Sequence, residues 1–194
     1  MIFKINRVAP FLVLAGILLA GCSSSPDPRF YILEGPQTQS TSTARGSEEL
    51  SIFIAPIVLS DYLKRNEIIS RPSNHRVSIA EYDRWAEPLD QTIATVLTQN
   101  LAEHFGSGNV TNYYSNFNGK SDVTIRVHIV EFGPTGDRVA LKATWEVSDT
   151  ARSRPQVHSQ QFSESFSDGD YQSISAAMSR ALARLSDSIV GTIR

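Results

Sequence analysis

Between Val123 and Val147 apolar and polar residues alternate with a period of two. Val123, Ile125, Val127 and Ile129 take one side and Thr124, Arg126 and His128 the other. After the turn Gly133-Pro134-Thr135-Gly136-Asp137, Val139, Leu141, Ala143, Trp145 and Val147 alternate with Lys142, Thr144, Glu146 and Ser148. Such a pattern predicts an antiparallel pair buried on one face. Gln156 to Phe166 is a third strand, polar enough to be an edge. Two stretches carry the helical period instead. Leu89, Ile93, Val96, Leu97, Leu101 and Phe105 form one apolar face, with Pro88 suited to the first turn and Gly106 and Gly108 to the stop. Tyr171, Ile174, Met178, Ala181, Leu185 and Ile189 form another, with Asp168 or Asp170 available as its N-terminal cap.

Shorter apolar runs fill the N-terminal half. Phe30 to Leu33 predicts a first strand, and Leu50 to Leu59 a β-rich run that Pro56 confines to an edge or bulge. Ile68 to Arg71 and Arg76 to Ala80 flank the turn composition Pro72-Ser73-Asn74-His75 and predict a hairpin. Val110 to Tyr114 predicts one more strand, while Gln37 to Ser47 is polar, low-complexity and mobile by composition. The architecture that uses these pieces is an α+β two-layer sandwich: a mixed or mainly antiparallel sheet with the two amphipathic helices packed on one face. Its other face is open to solvent or a partner. Several pairings of the short strands between Leu50 and Ala80 satisfy this pattern, so the strand order stays open.

The first residues change the picture from a plain globular domain to a tethered one. Met1 to Arg7 carries Lys4 and Arg7 and no acid, and Val8 to Ala20 carries no charge, the n-region and h-region of a secretory leader. The apolar run is short for a bilayer span, which needs roughly 20 residues. Leu19-Ala20-Gly21-Cys22 resembles a bacterial lipobox, which implies lipidation of Cys22 and cleavage before it. The chain then divides into a leader, 1–21, a lipidated cysteine with a short tether, 22–29, and a single domain, 30–194. At no more than about 3.6 Å per residue, Ser23 to Arg29 spans at most ~25 Å, so the domain stays close to its membrane. Ser23 rather than Asp after the cysteine resembles the enterobacterial rule for release to the outer membrane, periplasm-facing.

Composition excludes several functions. Of 194 residues, 18 are Lys or Arg and 20 are Asp or Glu, with net charge −2 and no basic run, so nucleic acid is not an expected partner. Cys22 is the only cysteine, which excludes an internal disulfide and a multi-cysteine metal site. His75, His104, His128 and His158 are dispersed without ligand spacing and read as surface residues. No Gly-x-Ser-x-Gly elbow is present, Gly106-Ser107-Gly108 lacks the rest of a phosphate cradle, and Glu87 and Asp90 complement a helix dipole. Catalytic, cofactor and metal residues are therefore expected to be none. A periplasmic hydrolase is disfavoured for want of a nucleophile with its base.

The most distinctive segment is Tyr82-Asp83-Arg84-Trp85-Ala86-Glu87-Pro88-Leu89-Asp90, in which Trp85 anchors a strand-to-helix junction and Pro88 presets the helix. A Trp-Ala-x-Pro-Leu-Asp sequence, a preceding Asp61-Tyr62-Leu63, Phe30 to Leu33 shortly after a lipobox and an aliphatic closing helix, in this order, resemble the PqiC family of ABC-transport auxiliary lipoproteins. The resemblance implies a non-enzymatic outer-membrane lipoprotein working with an MCE-domain protein and an inner-membrane permease in lipid movement between membranes. It also implies Cys22 as the lipid attachment site and a possible homo-oligomeric ring, for which the Gln156 to Phe166 edge is suited. Tyr31, Asp61, Tyr62, Leu63, Trp85, Pro88 and Leu89 fall in its motifs as fold-defining positions. Direct lipid carriage and docking alone both remain open at this point. The alternative reading, from a different class, is a lipoprotein regulator of a peptidoglycan synthase; the short tether argues against it, since reaching such enzymes requires a long stalk.

Overall fold

The structure, a computed structural model, describes residues 25–36, 50–73, 75–106, 108–115, 119–152 and 154–193. The leader with Cys22, the polar tract 37–47 and the turn residues Asn74 and Asn116 to Asn118 lie outside the described residues.

The alternating segments form the centre of the larger sheet. Strands β7 (Val123–Thr135), β8 (Arg138–Asp149) and β9 (Gln156–Ser165) are an antiparallel meander, and β9 pairs only with β8 among the described residues. On the other side of β7, β2 (Ile52–Ile54) and β3 (Val58–Leu59) both run parallel to it, and β6 (Val110–Asn112) runs parallel to β2. The sheet is thus mixed. Helix α1 (Leu89–Phe105) and helix α2 (Tyr171–Ile193) lie against one face. Ile52, Ile54, Ile93, Leu97, Leu101, Ile125, Ile129, Leu141, Met178, Leu182 and Leu185 are the largest side chains sealed between the layers. Each contributes roughly 1.5–3 kcal/mol by leaving water. The polar groups trapped there have partners: the Asn100 amide donates to Ser186 Oγ at 3.0 Å, and Ser186 Oγ to Leu182 O at 2.9 Å.

A second, three-stranded sheet was not legible in the hydrophobic pattern. Strands β4 (Glu67–Ser73) and β5 (Arg76–Trp85) form the expected hairpin, but β5 is ten residues long and its register with β4 slips between Glu67↔Arg84 and Ile69↔Ile79. Its last residues stay extended because β1 (Arg29–Tyr31) supplies a parallel partner, with Arg29↔Asp83 and Tyr31↔Trp85 in register. The order is β1-β5-β4.

The expected boundaries shift for local reasons. Leu50 to Leu59 breaks at Pro56 into β2 and β3, which use different parts of the same β7 edge. Val110 to Tyr114 stops at Asn112, whose side-chain Oδ1 accepts the Tyr114 N–H at 2.9 Å and starts a 3-10 turn over Tyr113–Ser115. Pro88 precedes the helix rather than occupying its first turn, and its carbonyl accepts the N–H groups of Gln91 and Thr92, both at 3.1 Å. Gly106 alone makes the stop, at φ +90° with its N–H on Ala102 O. Of the two acids before α2, Asp170 is the cap: its Oδ1 accepts the Ser173 N–H at 2.7 Å.

The two sheets meet where β4 crosses the end of β7. A Cβ on Gly133 would sit 2.5 Å from the Ile69 carbonyl oxygen, so only glycine allows this approach. Beside it Arg71 Nη1 pairs with Glu131 Oε2 at 2.8 Å.

Gly133→Ala is expected to destabilise the domain by about 1–3 kcal/mol, a fall of several degrees in thermal midpoint by circular dichroism; an unchanged midpoint would show that the sheets can separate freely there. The Ser173 N–H and hydroxyl hold the Asp170 carboxyl below its ordinary 3.8. A group lowered on folding stabilises above its unfolded value and loses that contribution as pH falls through the folded one. Asp170→Ala should therefore lower the midpoint at pH 7, with the gap to the parent closing as pH drops below 3.8.

Candidate functional site

The described motif residues fall into three settings: Tyr31 and Trp85 where β1 meets β5, Asp61 to Leu63 beside β7, and Pro88 and Leu89 at the start of α1. The centre of the first is a carboxylate the sequence reading passed over. Asp83 is buried, and its oxygens receive Arg29 Nε at 2.7 Å, Arg29 Nη2 at 2.9 Å and the Tyr31 hydroxyl at 2.9 Å. The guanidinium–carboxylate fork is the strongest geometry such a pair can adopt. Burial and the bond to Asp83 raise the Tyr31 phenol above its ordinary 10.0, which keeps it a donor, and the bond to Asp83 raises Arg29. Tyr171 stands against Tyr31 with ring centroids 5.9 Å apart. Main-chain bonds complete the clamp: Ala86 N–H donates to Tyr31 O at 2.9 Å, and Trp85 N–H donates to Asn66 O at 2.6 Å. Trp85 is itself buried. The first strand after the tether is thereby fastened to the domain. A signal for Asp83 did exist, since it lies two residues before Trp85 and so on the buried face of the same strand.

Asp61-Tyr62-Leu63 forms a 3-10 turn with a separate structural task. The β7–β8 register slips between Ile129 and Glu131, leaving the Val130 carbonyl outside the ladder. Tyr62 Oη donates to that carbonyl at 2.9 Å and Ser60 Oγ at 3.1 Å. Leu63 is buried beneath the turn, whereas Asp61 points to solvent and pairs with Lys64 at 2.7 Å. Pro88 and Leu89 close the set, lining a cleft of about 210 Å³ with Ile57, Leu59, Lys64 and Asn66.

A larger groove of about 700 Å³ runs between residues 30–36 and the two helices. One wall is held on α2 by Ser175 Oγ donating to Ile32 O at 2.8 Å and Glu34 N–H donating to Ser179 Oγ at 3.0 Å. Phe30 and Ile32 are exposed at its rim, while Glu103, His104, Arg180 and Asp187 line it from the helices. His104 Nε2 lies 3.5 Å from Asp187 Oδ1. That mixture suits a polar chain or a headgroup better than an acyl tail, which needs an apolar sleeve.

His75, His104, His128 and His158 are all exposed, and no three His, Cys, Asp or Glu side chains among the described residues are placed to hold a metal ion. No helix among the described residues is long and apolar enough to cross a membrane. Cys22 lies outside them, so its role is not read from the geometry.

Comparison with known proteins agrees with this layout. Residues 31–190 match the family model for the ABC-type transport auxiliary lipoprotein component. The chain is 29% identical over 136 residues to the intermembrane transport lipoprotein PqiC of Escherichia coli strain K12, covering 69% of this chain and 71% of that protein. The Shigella flexneri protein of the same name matches equally. Among solved structures, an uncharacterized protein aligns at TM-score 0.72 with 18% identity, over 87% of this chain and 100% of its own. Protein XCC0632 from Xanthomonas campestris aligns at 0.67 with 15% identity, over 85% and 94%. At those identities the two structures speak for the fold alone.

Asp83→Asn removes the charge that holds Arg29 while keeping the shape. The expected outcome is faster tryptic cleavage after Arg29 in the folded protein, followed by mass spectrometry, with Tyr31→Phe giving a smaller increase. Cleavage at the parent rate in both variants would mean that main-chain pairing alone fastens β1.

Proposed function

The chain belongs to the family of ABC-type transport auxiliary lipoprotein components, and from that premise we propose that it is a non-enzymatic accessory subunit of an MCE-type lipid transport system. In this reading Cys22 carries the acyl chains and the domain sits on the periplasmic face of the outer membrane. There it docks or receives the periplasmic end of an MCE-protein conduit whose permease lies in the inner membrane. At roughly 0.8 kcal/mol per buried methylene, two or three acyl chains hold it there without further help.

The observation that carries the reading is how few residues separate Cys22 from the fastened part of the chain. The family match starts at Tyr31, and the clamp on Asp83 fastens Arg29 and Tyr31, so only the residues from Ser23 onward separate a lipidated Cys22 from a rigid domain. A span of at most ~25 Å suits a protein that works at its own membrane. The name of the Escherichia coli relative, intermembrane transport lipoprotein, supports the same assignment. The charged lining of the groove favours docking over direct carriage of a lipid tail. The side of β9 that has no strand partner among the described residues offers an edge through which copies could close into a ring.

The test is crosslinking of the tagged protein in intact cells with quantitative mass spectrometry of the captured partners, alongside Cys22→Ala. Enrichment of an MCE-domain protein and its permease, reduced in Cys22→Ala, is expected. Capture dominated by a peptidoglycan synthase would overturn the assignment and leave the family resemblance as one of fold.

A further inference from the structure

The β4–β5 hairpin extends beyond the core. Pro72, Ser73 and every residue from His75 to Ile79 are exposed, so both of its faces meet solvent. Within it Val77 and Ile79 are 47% and 46% exposed. Two positions apart on one strand, they share a face and form an apolar pair on the projecting arm. From Pro72 to Ala80 the sequence holds Arg76 and no acid, within a chain whose net charge is negative, and Arg71 just below is taken up by Glu131.

Position supplies the partner. Strand β1 runs parallel to β5, so the N-terminal end of β1, where the tether arrives, and the tip of the hairpin lie at the same end of β5. Arg29 is level with Asp83, and β5 continues seven residues past that point to Arg76. At about 3.3 Å per residue this is a projection of at most ~23 Å. The tether from Ser23 to Arg29 has a contour of at most ~25 Å. The arm is therefore as long as the leash. When the tether is anywhere near extended, the hairpin reaches the surface to which the leash is tied.

We propose that the exposed arm of the β4–β5 hairpin is a second membrane contact: Val77 and Ile79 enter the headgroup layer of the bilayer that holds the acyl chains, and Arg76 faces lipid phosphate. The contact rests on the reading of Cys22 as the lipid anchor. It adds a second point of attachment to the acylated one, which sets the angle at which the groove and the sheet face turned away from the helices present themselves to the periplasm. A strand arm of this kind needs no apolar helix, because only side chains enter the interface and the hairpin's own ladder satisfies its backbone.

The test uses the full lipidated chain with Val77→Cys, whose new thiol is the only reactive one once Cys22 is acylated, labelled with an environment-sensitive fluorophore. The protein is reconstituted into vesicles of phosphatidylethanolamine and phosphatidylglycerol, with or without nitroxide-bearing acyl chains. Val157→Cys, equally labelled, is the control: Val157 is 63% exposed and lies on the edge strand of the other sheet. Loss of fluorescence to the nitroxide lipids at position 77 and none at position 157 is the expected result. If Cys22 carries its acyl chains by mass spectrometry and the protein is vesicle-bound, but the label at 77 is not quenched, the hairpin contact is wrong and the lipoprotein reading stands. A label at 77 that is water-exposed on vesicles yet shielded in native outer-membrane fragments would assign the arm to a protein partner and equally overturn the proposal. An unmodified Cys22 on a chain that stays off the vesicles would sink the lipoprotein reading and the membrane contact together.

Discussion

A buried carboxylate decides how the N-terminal strand meets the rest of this protein. Asp83 lies inside the fold, where an ionised group is tolerated only with full compensation. Its compensation is the fork of Arg29 and the hydroxyl of Tyr31, both on the three-residue strand β1. A three-residue parallel strand would gain little from its ladder alone. The ion pair gives it a unique register, since sliding β1 by one residue would turn Arg29 and Tyr31 to the opposite face and leave Asp83 charged without a partner. From that register follow the neighbouring features: Tyr31 beside Trp85, the Ala86 N–H on the Tyr31 carbonyl, and the following residues laid along α2 to form one wall of the groove.

The second fixed point is the bulge in β7. An extra residue at Val130 bends the strand and frees a carbonyl, which accepts the hydroxyls of Ser60 and of Tyr62 in the Asp61 to Leu63 turn, while Leu63 is buried. Just beyond, Gly133 lets the Ile69 carbonyl come close and Arg71 pairs with Glu131. The small sheet is thus joined to the large one through backbone proximity and one half-buried ion pair. This geometry gives the family motif a physical content. Tyr62 and Leu63 serve the bulge, Tyr31 and Trp85 fasten β1 to β5, and Pro88 and Leu89 line the cleft at the start of α1, while the Asp61 carboxylate faces solvent and pairs with Lys64. Their place in the chain reflects assembly of the scaffold that presents the groove, the open sheet face and the hairpin arm.

The elements that could be read in advance are those whose pattern is local. The β7–β8 alternation, the two amphipathic helices, the polar edge over Gln156 to Ser165 and the β4–β5 hairpin all declare themselves through burial periodicity within one segment. What could not be read is long-range pairing: β2 and β3 beside β7, β6 beside β2, and β1 beside β5 are parallel contacts between distant short strands, which no local period encodes. Asp83 was hidden for the same reason. In the sequence it is one acid next to an arginine, Arg84, whereas its actual cation, Arg29, is 54 residues away.

By itself the sequence determined an α+β domain with two helices over a mixed sheet and no strongly basic face, because hydrophobic period, helix signals and net charge are properties of neighbouring residues. The tertiary structure alone decided that there are two sheets, that Arg29 and Tyr31 bind Asp83, that Tyr62 serves a bulge, and that the hairpin tip and the start of β1 lie toward the same end of β5. Each of these depends on which distant segments share a sheet edge, and that choice is made by global packing and the need to satisfy every buried polar group at once.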